Sequence, residues 1–543
     1  MMKLKVASVV FFVLVAWSAT APAAVVDYFV WQDYGGTWDD ANKNTTRTDW
    51  SLYCWTGAAA DVMPWTGWVP NTLTDAQSCF TYVADHWCDG SGYTTWMWQW
   101  YFNGFDPGAG WARPDDPNTY GNFFPQYNVN DFVHTLAQTG DTMAQIEQQL
   151  RAGSAVTDLT YGTTRGNGHY NAMWGFRKDT STGQYVGIWI TESDVDKNQP
   201  NPPKKLDYYA LTQDGGGTYH FTLADQDYTI NSVYTLDRAA LQWNGGTGAW
   251  NSTANWSKAY LPDSRLRAEV DGGTAQLTTS TTVGQVYVGF RGTGVVTHTA
   301  GTFTVGELHL GTMYANCDGK YSVGGTGTLT VDKAYIGETG IGRLEVNSGA
   351  TVNINNVLQF GPNANYSAAS GTNLNFNYVS CFKDAAKNPA NVAGLAETTF
   401  LFNGNGTTSV RTFEVAGQDF GAIVGGFTSN FHIKGLTIGV GNSTYLRLVN
   451  DYLNYNGTPP GTYSEALYVH NLILNSGSTL DLNNFHLYCG TFTNYGTVLG
   501  GSVIVVQGGA GGLGDNPVIP EPTALLMILP AMLGLAAMLR RRR

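Results

Sequence analysis

Up to about residue 240 the apolar residues alternate between helical and strand spacings; beyond it they fall into short runs set between glycines. Met143, Ile146 and Leu150 mark one helical face, with Thr142 and Gln145 as a capping box before it and Gly153 as a stop. Cys54-Trp55-Thr56-Gly57-Ala58-Ala59-Ala60 predicts a second helix of small residues, which Pro64 should end or kink after about three turns. Gly168-His169-Tyr170-Asn171-Ala172-Met173-Trp174-Gly175-Phe176 and Tyr185-Val186-Gly187-Ile188-Trp189-Ile190-Thr191 predict two strands. Helices mixed with strands over residues 24–240 suit an α+β domain. The aromatic run from Trp96 to Tyr101 is expected in its core rather than along a cleft.

In the second half Val286-Tyr287-Val288-Gly289, Leu308-His309-Leu310-Gly311, Ala334-Tyr335-Ile336-Gly337 and Leu358-Gln359-Phe360-Gly361 recur at intervals of 22 to 26 residues. Short strands with that period fit the rungs of a right-handed parallel β-helix, none of which can bury its apolar side chains alone. A pair of β-sandwiches is the rival reading, since short strands punctuated by turns suit that too. An all-β region is therefore expected over 241–507, with 364–442 irregular: an insertion or a sandwich-like interruption. These repeats resemble those of autotransporter passengers. Residues 508–517 follow as a glycine-rich linker.

Both ends carry processing signals. Lys3 and Lys5, the apolar stretch from Val6 to Trp17, and Ala21-Pro22-Ala23 make residues 1–23 a secretory signal peptide. At the other end Pro520-Glu521-Pro522 precedes an apolar stretch, 524–539, and Arg540 to Arg543. About 16 apolar residues make a short transmembrane helix, held by the arginines on the cytoplasmic side; a simple stop-transfer anchor is the plainer alternative. Residues 518–543 resemble the PEP-CTERM sorting signal of Gram-negative bacteria. The resemblance implies an exosortase-type processing enzyme as partner, membrane attachment before processing, and delivery to the cell surface, outer membrane or extracellular matrix. With 66 glycines, 13% aromatic and only 13% charged residues, the composition fits a strand-rich exported protein. A net charge of −13, with no basic stripe, argues against nucleic acid as a partner. Of six cysteines, Cys79 and Cys88 are close enough in sequence to pair, leaving Cys54 free; Cys317, Cys381 and Cys489 form no evident framework.

Cys54, His169 and Glu192 are the candidate chemistry. A thiol at a helix N-terminus is acidified by unpaired N–H groups, an imidazole serves as its base, and a carboxylate orients the base. If the two strands form a hairpin with Phe176 facing Tyr185, His169 falls directly opposite Glu192, with Asp194 one diagonal step further as the alternative third member. A solvated loop, or a cation site with Asp196, is the competing reading of these carboxylates. His86 and His134 lack metal-ligand spacing, and no metal or cofactor is implied.

Cys54 through Asp61-Val62-Met63-Pro64-Trp65, then Gly168-His169 with Trp174-Gly175, then Thr191-Glu192-Ser193-Asp194, resemble the IdeS/Mac-type immunoglobulin-degrading cysteine proteases, a papain-like clan. The resemblance spans residues 28 to 210. It implies a papain-like fold and peptide-bond hydrolysis by Cys54 as nucleophile and His169 as base, with Glu192 in the third position. It also implies an oxyanion role for a lysine before the nucleophile, for which Lys43 is the candidate. The chain departs from the family in having glutamate where the family has aspartate, in Pro64, and in a Lys43–Cys54 spacing one residue longer. The sequence thus predicts an exported, surface-sorted cysteine endopeptidase acting on a protein or peptide. The alternative is a non-catalytic surface or matrix protein, structural or adhesive, whose first domain is a degenerate peptidase.

Overall fold

The computed structural model describes residues 25–43, 53–70, 72–87, 90–105, 121–136, 141–163, 168–192, 203–223, 226–404, 406–428, 430–454 and 464–508. The expected signal peptide 1–23, Asp194, the expected sorting motif Pro520-Glu521-Pro522 and the apolar stretch 524–539 lie outside those residues, as does the expected linker beyond Gly508. Among the described residues no helix is long and apolar enough to cross a membrane. The chain divides into two compact units between Ala239 and Ala240.

The first unit contains helices α1 (Val30–Tyr34), α2 (Cys54–Thr66), α3 (Ala76–His86), α4 (Thr94–Asn103) and α5 (Thr142–Ala152). Its strands are β1 (Val25–Phe29), β2 (Val133–Leu136), β3 (Ser154–Gly162), β4 (Gly168–Asp179), β5 (Tyr185–Thr191), β6 (Asp207–Ala210), β7 (Thr212–Gln213), β8 (Tyr219–Leu223) and β9 (Gln226–Asp237). They form one sheet in the order β6-β5-β4-β3-β9-β8-β7, with β1 also on β4 and β2 on β9.

Local chemistry sets the helix ends. On α5, Met143, Ile146 and Leu150 are fully buried, and Gly153 closes the helix at φ 83°. The N-cap is Asp141 rather than Thr142: the Asp141 carboxylate accepts from the Ala144 N–H at 3.1 Å, which a carboxylate one position earlier reaches in the same geometry. Pro64 does not end α2. It sits in the last turn, where its missing N–H forfeits a single hydrogen bond, and the helix runs two residues further to a left-handed Gly67. The small residues of α2 let α4 approach, so that the Trp98 indole donates to the Ala59 carbonyl at 3.2 Å. Met97, Trp98, Trp100, Tyr101 and Phe102 are all buried, which makes the aromatic run core. Cys79 carries a free thiol, which burial pushes up to about 12; Cys88 lies outside the described residues.

The second unit is a parallel β-solenoid of about ten turns over residues 240 to 494. The repeats recognised in the sequence stack directly: Val286 pairs with Leu308, Leu308 with Ala334, and Ala334 with Leu358, in parallel register. Their side chains are buried, so each rung supplies the core of the next. The repeat glycines turn the corners. Gly289, Gly311 and Gly337 have φ of 63°, 66° and 71°, and a Cβ on Gly311 would stand 2.2 Å from the Ile341 carbonyl oxygen of the next rung. This parallel stacking excludes the sandwich reading.

Residues 364–442 do not interrupt the stack either. Thr372–Asn377 pairs in parallel with both Thr351–Phe360 and Thr398–Asn403, and Gly406–Glu414 with Thr444–Val449. The period is blurred because 3₁₀ turns at Pro389–Glu397 and Val424–Phe427 are inserted between rungs. At the start of the coil Trp243, Trp250 and Trp256 are buried against one another, and Trp250 packs on Phe303.

Candidate active site

Three elements of the first unit converge. Cys54 is the first residue of α2, where a helix leaves N–H groups unpaired. His169 is the second residue of β4, and Glu192 directly follows β5. Trp174 and Gly175 explain the rest of the β4 motif. The Trp174 indole donates to Thr191 Oγ1 at 3.0 Å, tying β4 to the end of β5. At Gly175 a Cβ would lie 2.2 Å from the Tyr28 carbonyl of β1, which pairs there.

His169 Nε2 lies 2.7 Å from Glu192 Oε1, and both side chains are less than 10% exposed, at 8% and 4%. With Nε2 taken, Nδ1 is the nitrogen left for the thiol. The expected register between the strands does not hold. Phe176 pairs with Ile188, Lys178 with Tyr185 and Ala172 with Thr191, with irregularities after Met173 and after Arg177. Carried one residue further, this sets Glu192 beside Asn171, so Glu192 reaches His169 along a diagonal rather than straight across. Diagonal cross-strand neighbours are further apart than opposed ones and meet only through longer side chains. The extra methylene of glutamate supplies that length.

The electrostatics follow from this packing. Burial alone would push the Cys54 thiol up, but the hydrogen bond and positive charge of His169 outweigh it; the Lys43 charge and the Tyr170 N–H add to them, and the thiol sits below its usual value. Burial would likewise depress His169, yet its bonds to Cys54 and Glu192 hold it well above the ordinary imidazole value. Thiolate and imidazolium therefore stabilise each other. Cys54 is partly exposed and so reachable, whereas Lys43 is buried, at 4% exposure, close enough to act on the thiol. The other described cysteines, Cys79, Cys317, Cys381 and Cys489, are all raised, burial being the first cause in each.

Sequence reasoning missed two groups of this site. Asp158 of β3 faces Asn171 of β4; both are fully buried, two residues along the strands from the Thr160–His169 pair. Burial pushes the Asp158 carboxyl up to about 7, against the pull of Asn171 and of His169. A charged residue within the apolar run Ala155-Val156-Thr157-Asp158-Leu159 was the available signal. No protein-family model matches the chain, and no curated protein matches it.

Proposed function

We propose that the first unit is a papain-like cysteine endopeptidase, similar to the IdeS/Mac type, exported and sorted to the surface, with a right-handed β-helix as its second unit. The observation that carries this reading is the chain Cys54–His169–Glu192, in which a helix-end thiol is held low and a carboxylate-bound imidazole is held high. An ordinary buried cysteine shows the opposite trend.

In the mechanism, the Cys54 thiolate attacks the scissile carbonyl carbon and the carbonyl π pair moves to oxygen. The Cys54 N–H and the Lys43 ammonium stabilise that oxyanion. Collapse of the tetrahedral species breaks the C–N bond as the His169 imidazolium protonates the leaving amine. His169, now neutral, takes a proton from water; the hydroxide attacks the thioester, the acid product leaves, and the Cys54 thiolate and His169 imidazolium are restored. Glu192 keeps Nε2–H pointed away from the thiol throughout, which fixes the orientation of the ring.

The direct test is labelling with a peptidyl acyloxymethyl ketone at neutral pH. The reading expects one label, on Cys54, with loss of labelling in Cys54→Ala and His169→Ala. A folded wild-type protein that takes no label would favour the non-catalytic surface or matrix protein, in which a degenerate peptidase domain serves for binding.

A further inference from the structure

Asp61 lies seven residues after Cys54, two turns along the same face of α2. It is fully buried and is the only charged residue type in α2, where a carboxyl group is costly unless its oxygens are used. Both are used. Oδ1 accepts from the Ala41 N–H at 2.6 Å, and Oδ2 from the Thr191 hydroxyl at 2.6 Å. Thr191 in turn accepts from the Trp174 indole at 3.0 Å.

The partners fall at telling places. Ala41 stands two residues before Lys43, Thr191 stands immediately before Glu192, and Trp174 lies on the strand that carries His169. One side chain on the nucleophile's helix is thus bonded to the segment that carries the lysine and to the end of the strand that carries the third member. Burial, with the neighbouring Asp40 charge, pushes the Asp61 carboxyl well above its usual range, so a neutral side chain of the same shape should replace it.

We propose that Asp61 is a positioning residue that sets Lys43 and Glu192 relative to Cys54. The inference rests on the peptidase reading. It acts first on the geometry of the oxyanion site and of the third member; the acidity of the thiol, which comes mainly from His169 with smaller contributions from Lys43 and the Tyr170 N–H, changes only as far as those groups shift.

Two probes on the full mature chain separate these roles. Iodoacetamide needs only the thiolate, whereas a peptidyl acyloxymethyl ketone needs a carbonyl held in the oxyanion site. Asp61→Ala loses two buried hydrogen bonds and should react with the ketone about 10- to 100-fold more slowly, with its iodoacetamide rate at pH 7 changed less than about threefold. Asp61→Asn keeps the acceptor for the Ala41 N–H and turns its amide N–H toward Thr191 Oγ1, which reverses that bond without removing it, and should stay within about fivefold of wild type with both probes. Lys43→Ala should slow the ketone at least as much as Asp61→Ala, and should also slow iodoacetamide at pH 7, because the Lys43 charge helps to hold the thiol low. The double variant should lose little more than either single one, because both act through one element. If Asp61→Ala does not fold, Thr191→Val decides, with an expected loss of about threefold or more against the ketone alone. Equal loss with both probes, no loss with either, or full additivity with Lys43→Ala overturns the role of Asp61. A wild-type chain inert to the ketone overturns the peptidase reading instead.

Discussion

Glu192→Gln exchanges a carboxylate oxygen for an amide group at nearly constant volume, so it isolates the charge that faces His169. The His169 Nε2–Glu192 Oε1 contact of 2.7 Å is short and shielded from water. A hydrogen bond to a charged group in such surroundings contributes about 1.5–3 kcal/mol. At about 1.36 kcal/mol per pKa unit, its loss should lower the His169 pKa by roughly one to two units. The sign follows from the site: Glu192 is one of the two partners that hold His169 high against its burial. A weaker imidazolium also releases its hold on the thiol, so Cys54 should ionise at higher pH. The active window then narrows from both sides. The assay is kcat/KM for a cleaved peptide across pH, with iodoacetamide alkylation of Cys54 measured in parallel. The alkaline limb should fall by roughly one to two pH units, the onset of alkylation should rise, and turnover at pH 7 should drop about 10- to 200-fold. Asp194→Asn should do less. If Glu192→Gln leaves both limbs in place while Asp194→Asn moves them, the partner of His169 is Asp194 and the argument from the diagonal is wrong.

Iodoacetamide at neutral pH should modify Cys54 well before the other described thiols, all of which are raised; comparable labelling of Cys54 and Cys317 by mass spectrometry would mean that neither is activated. Gly311→Ala should destabilise the solenoid by about 2–5 kcal/mol, the sum of left-handed strain and a backbone clash, and Gly371→Ala, with φ 83° but open space, should cost only the strain; equal melting temperatures for the two would remove the clash from the account. Asp384, Glu414 and Glu465 are buried in the coil and, burial being the first cause, are raised to about 7, 8 and 7. At these three groups the folded coil binds more protons than the unfolded chain between the ordinary carboxylate range and pH 8, so their contribution to its stability is greatest at acid pH and is lost as pH rises through 7 to 8; His298 and His432, lowered by burial, oppose this on the acid side. Melting the second unit at pH 5.5 and 8.5 tests this, and Glu414→Gln should weaken the dependence; a coil more stable at pH 8.5 contradicts it. Residues 24–240 and 241–508, produced separately, should each give a cooperative melt, with the second almost wholly β by circular dichroism; aggregation of either alone would show that it needs the other.

What the sequence made legible was what short-range physics decides. The rung period could be read because each Val-Gly, Leu-Gly or Ile-Gly corner repeats one local requirement, a positive φ with no room for a Cβ. The face of α5 could be read from Met143, Ile146 and Leu150, but its cap was misplaced by one residue because Asp141 and Thr142 both suit the position. The trio Cys54, His169 and Glu192 was found from motif order, whereas the register that joins its last two members was not. Two irregularities between β4 and β5 shift the pairing, and neither leaves a local mark that fixes its place. Asp61 and Asp158 were passed over for a related reason: a buried carboxyl is recognised by its partners, and those partners are more than ten residues away in the chain.

The direct stacking of rungs has a mechanical consequence. Strands run across the axis of the coil and their hydrogen bonds run along it, so tension applied between its two ends meets the rungs in series. Each rung would peel away in turn rather than the whole sheet shearing at once. A rung of 22 to 26 residues that lets go frees roughly 70–90 Å of extended chain. A coil of this kind held at one end and pulled at the other would lengthen in near-equal steps, dissipating load as each rung let go.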